Sequence, residues 1–216
     1  MQRFTDANGQ LTAAVTRNSY GSLVLSTARL MFVDIDFPPA AAGAELRRLF
    51  GRLLGRQQRT AEEEFEAQAL DRVRSFIARQ PSWSMRVYRT RSGLRLLVTH
   101  DLFDPSAKET LEAFQALGAD RLYARLCTAQ GSFRARLTPK PWRCGHSQSL
   151  VCWPRETAEQ QSRFEKWLAT YNGLHVSFAT CRFVEALGRG TFHPEAATLV
   201  EVHDHIARAT EPLPLA

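Results

Sequence analysis

The sequence predicts a single α+β domain, on three observations. Segments rich in β-branched and aromatic residues come in pairs with turn signals between them. In "WSMRVYRTRSGLRLLVTHD", residues 83–101, the RSG at 91–93 separates two β-rich runs as a hairpin turn does. Helical periodicities lie between such segments, but without the regular strand–helix–strand alternation of a doubly wound parallel sheet. The chain's 216 residues are 44% hydrophobic and 23% charged, enough for a full core without disulfide or metal staples.

In chain order, "GSLVLSTARLMFVDIDF" (21–37) reads as two short strands or one long bent one. Pro38 and Pro39 end it, because proline cannot donate to a ladder. "AGAELRRLFGRLLG" (42–55) places Leu46, Leu49, Phe50, Leu53 and Leu54 at a helical period, with Gly55 suited to the C-cap. "TAEEEFEAQALDRVRSFIARQ" (60–80) predicts a helix opened by a Thr60/Glu63 capping box and closed by Pro81. The hairpin follows. "DPSAKETLEAFQALGAD" (104–120) predicts a helix with Asp104 opening, Pro105 first and Gly118 ending it. "RLYARLCTAQGSFRARLTPKPWRCG" (121–145) reads as a helical turn and then a short strand or hairpin around Phe133 to Leu137. "RETAEQQSRFEKWLATYNG" (155–173) is an amphipathic helix with Phe164, Trp167, Leu168 and Tyr171 on one face. A strand in 174–188, a helix in 193–209 and the tail "EPLPLA" complete the chain.

The formal net charge is +6 and the isoelectric point about 9.5, which favours an anionic partner. All but three of the 28 basic residues are arginine, a skew that genome composition can produce, so their distribution carries more weight. Residues 121–155 contain Arg121, Arg125, Arg134, Arg136, Lys140, Arg143 and Arg155 and no acid. Residues 85–100 contain Arg86, Arg89, Arg91 and Arg95, again without an acid. The alternative is that these arginines pair with the acids of residues 62–66 and only solubilise the chain. No apolar run approaches the roughly 18 residues of a membrane span. The N-terminal MQRFTDANGQ has no apolar core of a signal peptide. A cytoplasmic protein without a membrane partner is expected, and its four cysteines are expected as thiols. Cys127, Cys144, His146 and Cys152 match no common zinc spacing and read as packing residues.

Asp34 and Asp36 end an apolar run. At i and i+2 on a strand their side chains share a face, with Cα atoms about 6.5 Å apart. Carboxylates so placed can share a divalent cation or hold a metal pair about 3.5–4 Å apart, and hard oxygen donors suit Mg2+ or Mn2+. A polar strand end paired with arginine is the other reading. Trp142 and Trp153 flank the acid-free basic segment, where they either stack on a base or pack in the core or a lid.

The order of these motifs resembles the archaeo-eukaryotic primase and primase-polymerase superfamily. The matching stretches are "FVDID", "YRTRSGLRLLV" and "DRLYARLCTAQGSFRARLTPKP", and the resemblance spans residues 20–145. It implies an RRM-like antiparallel sheet core with flanking helices, 146–216 being a helix–strand–helix extension. It also implies a metal-dependent nucleotidyltransferase whose partners are a nucleoside triphosphate and nucleic acid. Asp34 and Asp36 would be the metal ligands and, with Asp120 as third acid, the catalytic set. Ser92, Arg95, Arg134, Arg136 and Lys140 would face the nucleotide phosphates. The chain departs from the family at its second motif, where Leu94 or Arg95 stands in place of a histidine. That departure raises a second expectation, a binding module without turnover. A third is a haloacid dehalogenase-like phosphatase, whose first motif has the same acidic pattern; there Thr99 and Lys140 would supply later motifs, but Phe37-Pro38 departs from it.

Overall fold

The structure, a computed structural model, describes residues 2–38 and 60–216; the helix expected over 42–55 lies outside them. The strands in chain order are β1 (Gln2–Thr5), β2 (Leu11–Arg17), β3 (Leu23–Thr27), β4 (Phe32–Asp36), β5 (Ser84–Thr90), β6 (Gly93–Val98), β7 (Phe133–Arg136) and β8 (Cys181–Gly188). The helices are α1 (Ala61–Arg79), α2 (Lys108–Leu117), α3 (Arg121–Gln130), α4 (Ala158–His175) and α5 (Pro194–Ala207). The fold is α+β, as expected. Among the described residues the strands form two four-stranded sheets, ordered β1-β2-β3-β7 and β4-β6-β5-β8. All pairings within them are antiparallel.

The stretch 21–37 is two strands, and they belong to different sheets. After β3, Ala28 donates its backbone N–H to Thr12 and the Thr27 hydroxyl donates to the Leu30 carbonyl at 2.6 Å. Buried Leu30 and Met31 then carry the chain into β4. The hairpin formed by β1 and β2 was not assigned from sequence, because "LTAAVTR" is short and mixes small with polar residues.

The second sheet is covered on both faces. The α1 helix begins at the expected capping box, with the Thr60 side chain accepting from Glu63 N–H and the Glu63 carboxylate from Thr60 N–H. It buries Ala69, Val73 and Phe76 against one face, and Phe76 meets Trp83 edge-on at 5.0 Å. The opposite face carries Phe32 and Tyr88, both packed on His203 of α5 at centroid distances of 5.5 and 4.8 Å. His203 packs inward and is fully buried, whereas His205, two residues on, is exposed.

Several boundaries differ from expectation. The strand expected over 174–188 begins only at Cys181, and α4 runs on to His175. Residues 104–107 form a turn, so α2 starts at Lys108; the Asp104 carboxylate accepts from the backbone and hydroxyl of Ser106 there, while the Thr110 hydroxyl closes onto the Asp104 carbonyl. Residues 121–130 make a full helix, opened by the Asp120 cap and closed at Gly131 in the left-handed region. The C-terminal tail is anchored, with Ala216 donating to the Ala179 carbonyl at 3.1 Å.

Gly93 opens β6 where that strand lies closest to β4. A Cβ there would sit 1.9 Å from the Ile35 carbonyl oxygen, so a side chain forces the two strands apart. Gly93→Ala is expected to destabilise the fold by about 3 kcal/mol, the upper end of overpacking costs, measured by urea denaturation.

Candidate functional site

The antiparallel register sets Phe32 opposite Leu97, Asp34 opposite Arg95 and Asp36 opposite Gly93. Asp34 and Asp36 therefore share a face, as their spacing predicts. Arg95 lies on that face too, but only 2% of it is exposed. Its Nε donates to Asp34 Oδ1 at 2.9 Å, its Nη2 to Asp34 Oδ2 at 3.3 Å and its Nη1 to the Arg136 carbonyl at 2.8 Å. Burial lowers the basicity of the guanidinium, but Asp34 outweighs it and holds Arg95 above its ordinary value. The expectation that Arg95 faces phosphates is corrected: its donors are turned inward, onto Asp34 and the backbone of β7.

Asp120 caps α3 by accepting from Tyr123 N–H at 2.7 Å, and its own backbone N–H donates to the Asp34 carbonyl at 2.8 Å. The Tyr123 hydroxyl lies 3.1 Å from the Phe32 carbonyl and 3.2 Å from the Arg134 carbonyl, so α3 spans the seam between the two sheets. The three predicted acids are thus brought to one place. Asp36 is the least constrained of them, at the open end of β4. Partial burial, followed by the charges of Asp34 and Asp120, raises its pKa, while Arg136 and Lys140 act the other way.

Arg136 and Lys140 belong to a basic wall at the end of β7. Arg143, in the 3-10 turn Pro141–Arg143, donates to the Ser92 hydroxyl at 3.2 Å. Lys140 is lowered by burial and then by Arg136 and Arg143. Arg143 is lowered by burial and then by Arg136 and Arg91. The buried Nε of Arg136 has no hydrogen-bond partner. Among the described residues, none of the seven basic residues from Arg121 to Arg155 makes a salt bridge. The hairpin behaves differently. Arg86 pairs with Asp204 at 2.7 Å, Arg89 with Glu62 and Glu66, and Arg95 with Asp34. Glu62 and Glu66 thus meet Arg89 of the hairpin, and among the described residues no acid pairs with the 121–155 segment. Arg134 is exposed on the same strand face as Arg136, and its backbone, not its guanidinium, contacts Tyr123.

Among the described residues no group of three or more His, Cys, Asp or Glu is arranged to hold a metal ion. The donor set that fits a hard cation is smaller. Among the described residues Asp36 makes no salt bridge, and Asp34 keeps only the lone pairs that Arg95 does not use. Burial first, and then the charges of Asp34 and Asp120, raise the pKa of Asp36.

Sequence reasoning missed a second polar cluster. Cys181 Sγ lies 3.8 Å from His203 Nε2, and His203 Nδ1 lies 2.9 Å from Asp204 Oδ1. Its order suggests an activated thiol, but Cys181 and His203 are fully buried and burial pushes the thiol up to about 12. A protonated, inaccessible thiol is not a nucleophile, so the cluster reads as core. The four cysteines are all free thiols.

No protein-family model matches the chain, and neither curated proteins nor solved structures give a match to it.

Two predictions follow from this geometry. Asp34→Ala leaves the buried Arg95 charge without its partner and is expected to cost about 3–5 kcal/mol; Asp34→Ala with Arg95→Met should recover most of that in a denaturation cycle. Asp36 behaves differently. Its folded pKa is above the unfolded one, so the folded state binds more protons in the window between the two, and stability falls as pH rises through it. Asp36→Asn should therefore raise the melting temperature near neutral pH. The gain should vanish below the ordinary aspartate range, where folded and unfolded chains are both protonated.

Proposed function

We propose that the protein is a divalent-metal-dependent nucleotidyltransferase-like domain of the primase-polymerase type, acting on nucleic acid through a bound nucleoside triphosphate. The observation that carries this reading is the position of Asp36, within electrostatic reach of two further carboxylates on one side and of Arg136 and Lys140 on the other. A polyphosphate needs cations for its oxygens, and the basic wall supplies them without acidic competitors. A bound divalent metal would supply charge neutralisation for the phosphates. Asp36 would hold it, with a share from Asp34 and Asp120 beside them. Arg136, Lys140 and Arg143 would grip phosphate oxygens, and Ser92 would keep Arg143 aligned. A phosphate bound there would raise the lowered pKa of Lys140. Arg95 is a positioning residue in this scheme, acting through Asp34. The antiparallel β4-β6-β5-β8 sheet, helix-covered on both faces, is compatible with an RRM-like core.

A second reading is favoured by one specific observation. Both oxygens of Asp34 already accept from Arg95, and the resemblance places either Leu94 or Arg95 where the family has a histidine. A domain that binds nucleotide or single-stranded nucleic acid without turnover fits that arrangement. The phosphatase reading draws less support, since it makes Asp34 the nucleophile and expects strand–helix alternation.

Nucleotide incorporation on a primed template with Mg2+ or Mn2+ tests the first reading. Incorporation that Asp36→Asn abolishes supports it. Nucleotide binding unchanged by a chelator, with no incorporation, supports the second. Absence of any nucleotide or nucleic-acid binding at low salt, with metal present, overturns both. Replacing Arg136 and Lys140 with alanine should weaken triphosphate binding by about tenfold or more for each lost charged hydrogen bond, worth about 1.5–3 kcal/mol.

On single strands, four to six phosphate contacts would give a slope of log affinity against log salt of about −3 to −4. Replacing Arg134 and Arg136 together should shallow that slope by about one to two.

A further inference from the structure

We infer that Trp142, backed by Tyr20, is a stacking platform for the base of a nucleoside triphosphate, so that the site selects a nucleotide over a bare polyphosphate. This rests on the phosphate-binding reading of the same site.

Trp142 sits in the 3-10 turn between Lys140 and Arg143, and half of it is exposed (50%) although it is among the largest apolar side chains. Its ring meets Tyr20 at 5.3 Å with an interplanar angle of 61°, so Tyr20 props it edge-on. Lys140 Nζ lies 5.5 Å from the Trp142 ring, and the same ammonium is within electrostatic reach of Asp36. Arg143, on the other side of Trp142, feels both Asp36 and Tyr20. The aromatic pair and the acid site therefore share two cations as neighbours.

The pair is also held rigidly. Tyr20 lies in the turn from β2 to β3, and Trp142 in the segment after β7. One hydrogen-bonded cluster ties these segments together. Tyr171 of α4 donates its hydroxyl to the Pro139 carbonyl at 2.6 Å, beside the Thr138 hydroxyl at 2.9 Å. Ser22 donates to the same carbonyl at 2.7 Å. Gly21, at φ +93°, leaves room for Trp167, which a Cβ there would meet at 2.3 Å. An exposed tryptophan fixed from behind loses little freedom when a flat ligand stacks on it, and bases stack on such rings irrespective of identity. Trp153 is more exposed (80%), but its cation contact is with Arg155 and not with Lys140 or Arg143.

The test compares ATP with inorganic tripolyphosphate, each with Mg2+, by calorimetry and tryptophan fluorescence. ATP should bind the unaltered protein about 5- to 150-fold more tightly and quench its emission. Trp142→Ala should abolish that preference. Its tripolyphosphate affinity should change by no more than the few-fold that loss of the Lys140 contact allows. Trp142→Phe should keep most of the preference, and Trp153→Ala should leave both affinities unchanged. Equal affinity for the two ligands, or a preference that survives Trp142→Ala, overturns the platform and leaves the phosphate reading standing. Failure of both ligands to bind overturns the platform and the phosphate reading together.

Discussion

The structure depends on one buried cation. Arg95 heads the largest fully buried side chains, and removing a guanidinium from water carries a penalty of several kcal/mol. Three hydrogen bonds offset it, two to Asp34 on β4 and one to the Arg136 carbonyl on β7. Those bonds join strands of different sheets, so the charge that is costly to bury also fixes how the sheets meet. Leucine in its place would pack, but it would leave the Asp34 carboxylate and the Arg136 carbonyl without their donor.

The acid site inherits its asymmetry from that bond. Asp34 is neutralised from behind and held still, whereas Asp36, one turn of the pleat further out, is not. Arg136 is tied to Arg95 through its backbone, which leaves its guanidinium for the acid site. Lys140 and Arg143 follow it around the turn and repel one another as well as Arg136. Among the described residues these crowded cations make no salt bridge, and they lie within electrostatic reach of Asp36, whose pKa is raised. Such a site is preorganised by its supporting shell.

Much of this was legible in the sequence because it depends on local rules. A period of two put Asp34 and Asp36 on one face; Thr60 and Glu63 announced a helix start; RSG marked the hairpin. Segregation of charge along 121–155 pointed to the basic wall, since a segment with no acids cannot neutralise itself locally. The same reasoning failed for the hairpin arginines. Their partners Glu62, Glu66 and Asp204 are distant in sequence, and nothing in "RVYRTRSGLR" shows that Arg86, Arg89 and Arg95 are paired while Arg91 is not. Arg95 reads as a surface residue between leucines until β4 is laid beside it. The crossing from β3 to β4 between sheets was equally invisible, because Leu30 and Met31 suit a continuous strand as well as a buried link.

The core beneath the acid site shows why only one end of this sheet face is electrostatically active. Its second ion pair, Arg86 with Asp204, is self-contained, and Arg86 also donates to the Tyr88 hydroxyl at 2.7 Å and stacks over Phe183 at 4.1 Å. Between the two pairs lie Tyr88, Cys181 and His203. Burial raises the phenol and the thiol and lowers the imidazole, so all three favour their neutral forms. Asp204 is held below its ordinary value despite burial, because it accepts from His203 and Tyr88 and faces Arg86. Each buried acid is therefore matched to one arginine, and the groups between them add no charge. Among the described residues, the charge of this face that no ion pair matches lies at its outer end, where Asp36 and the basic wall are.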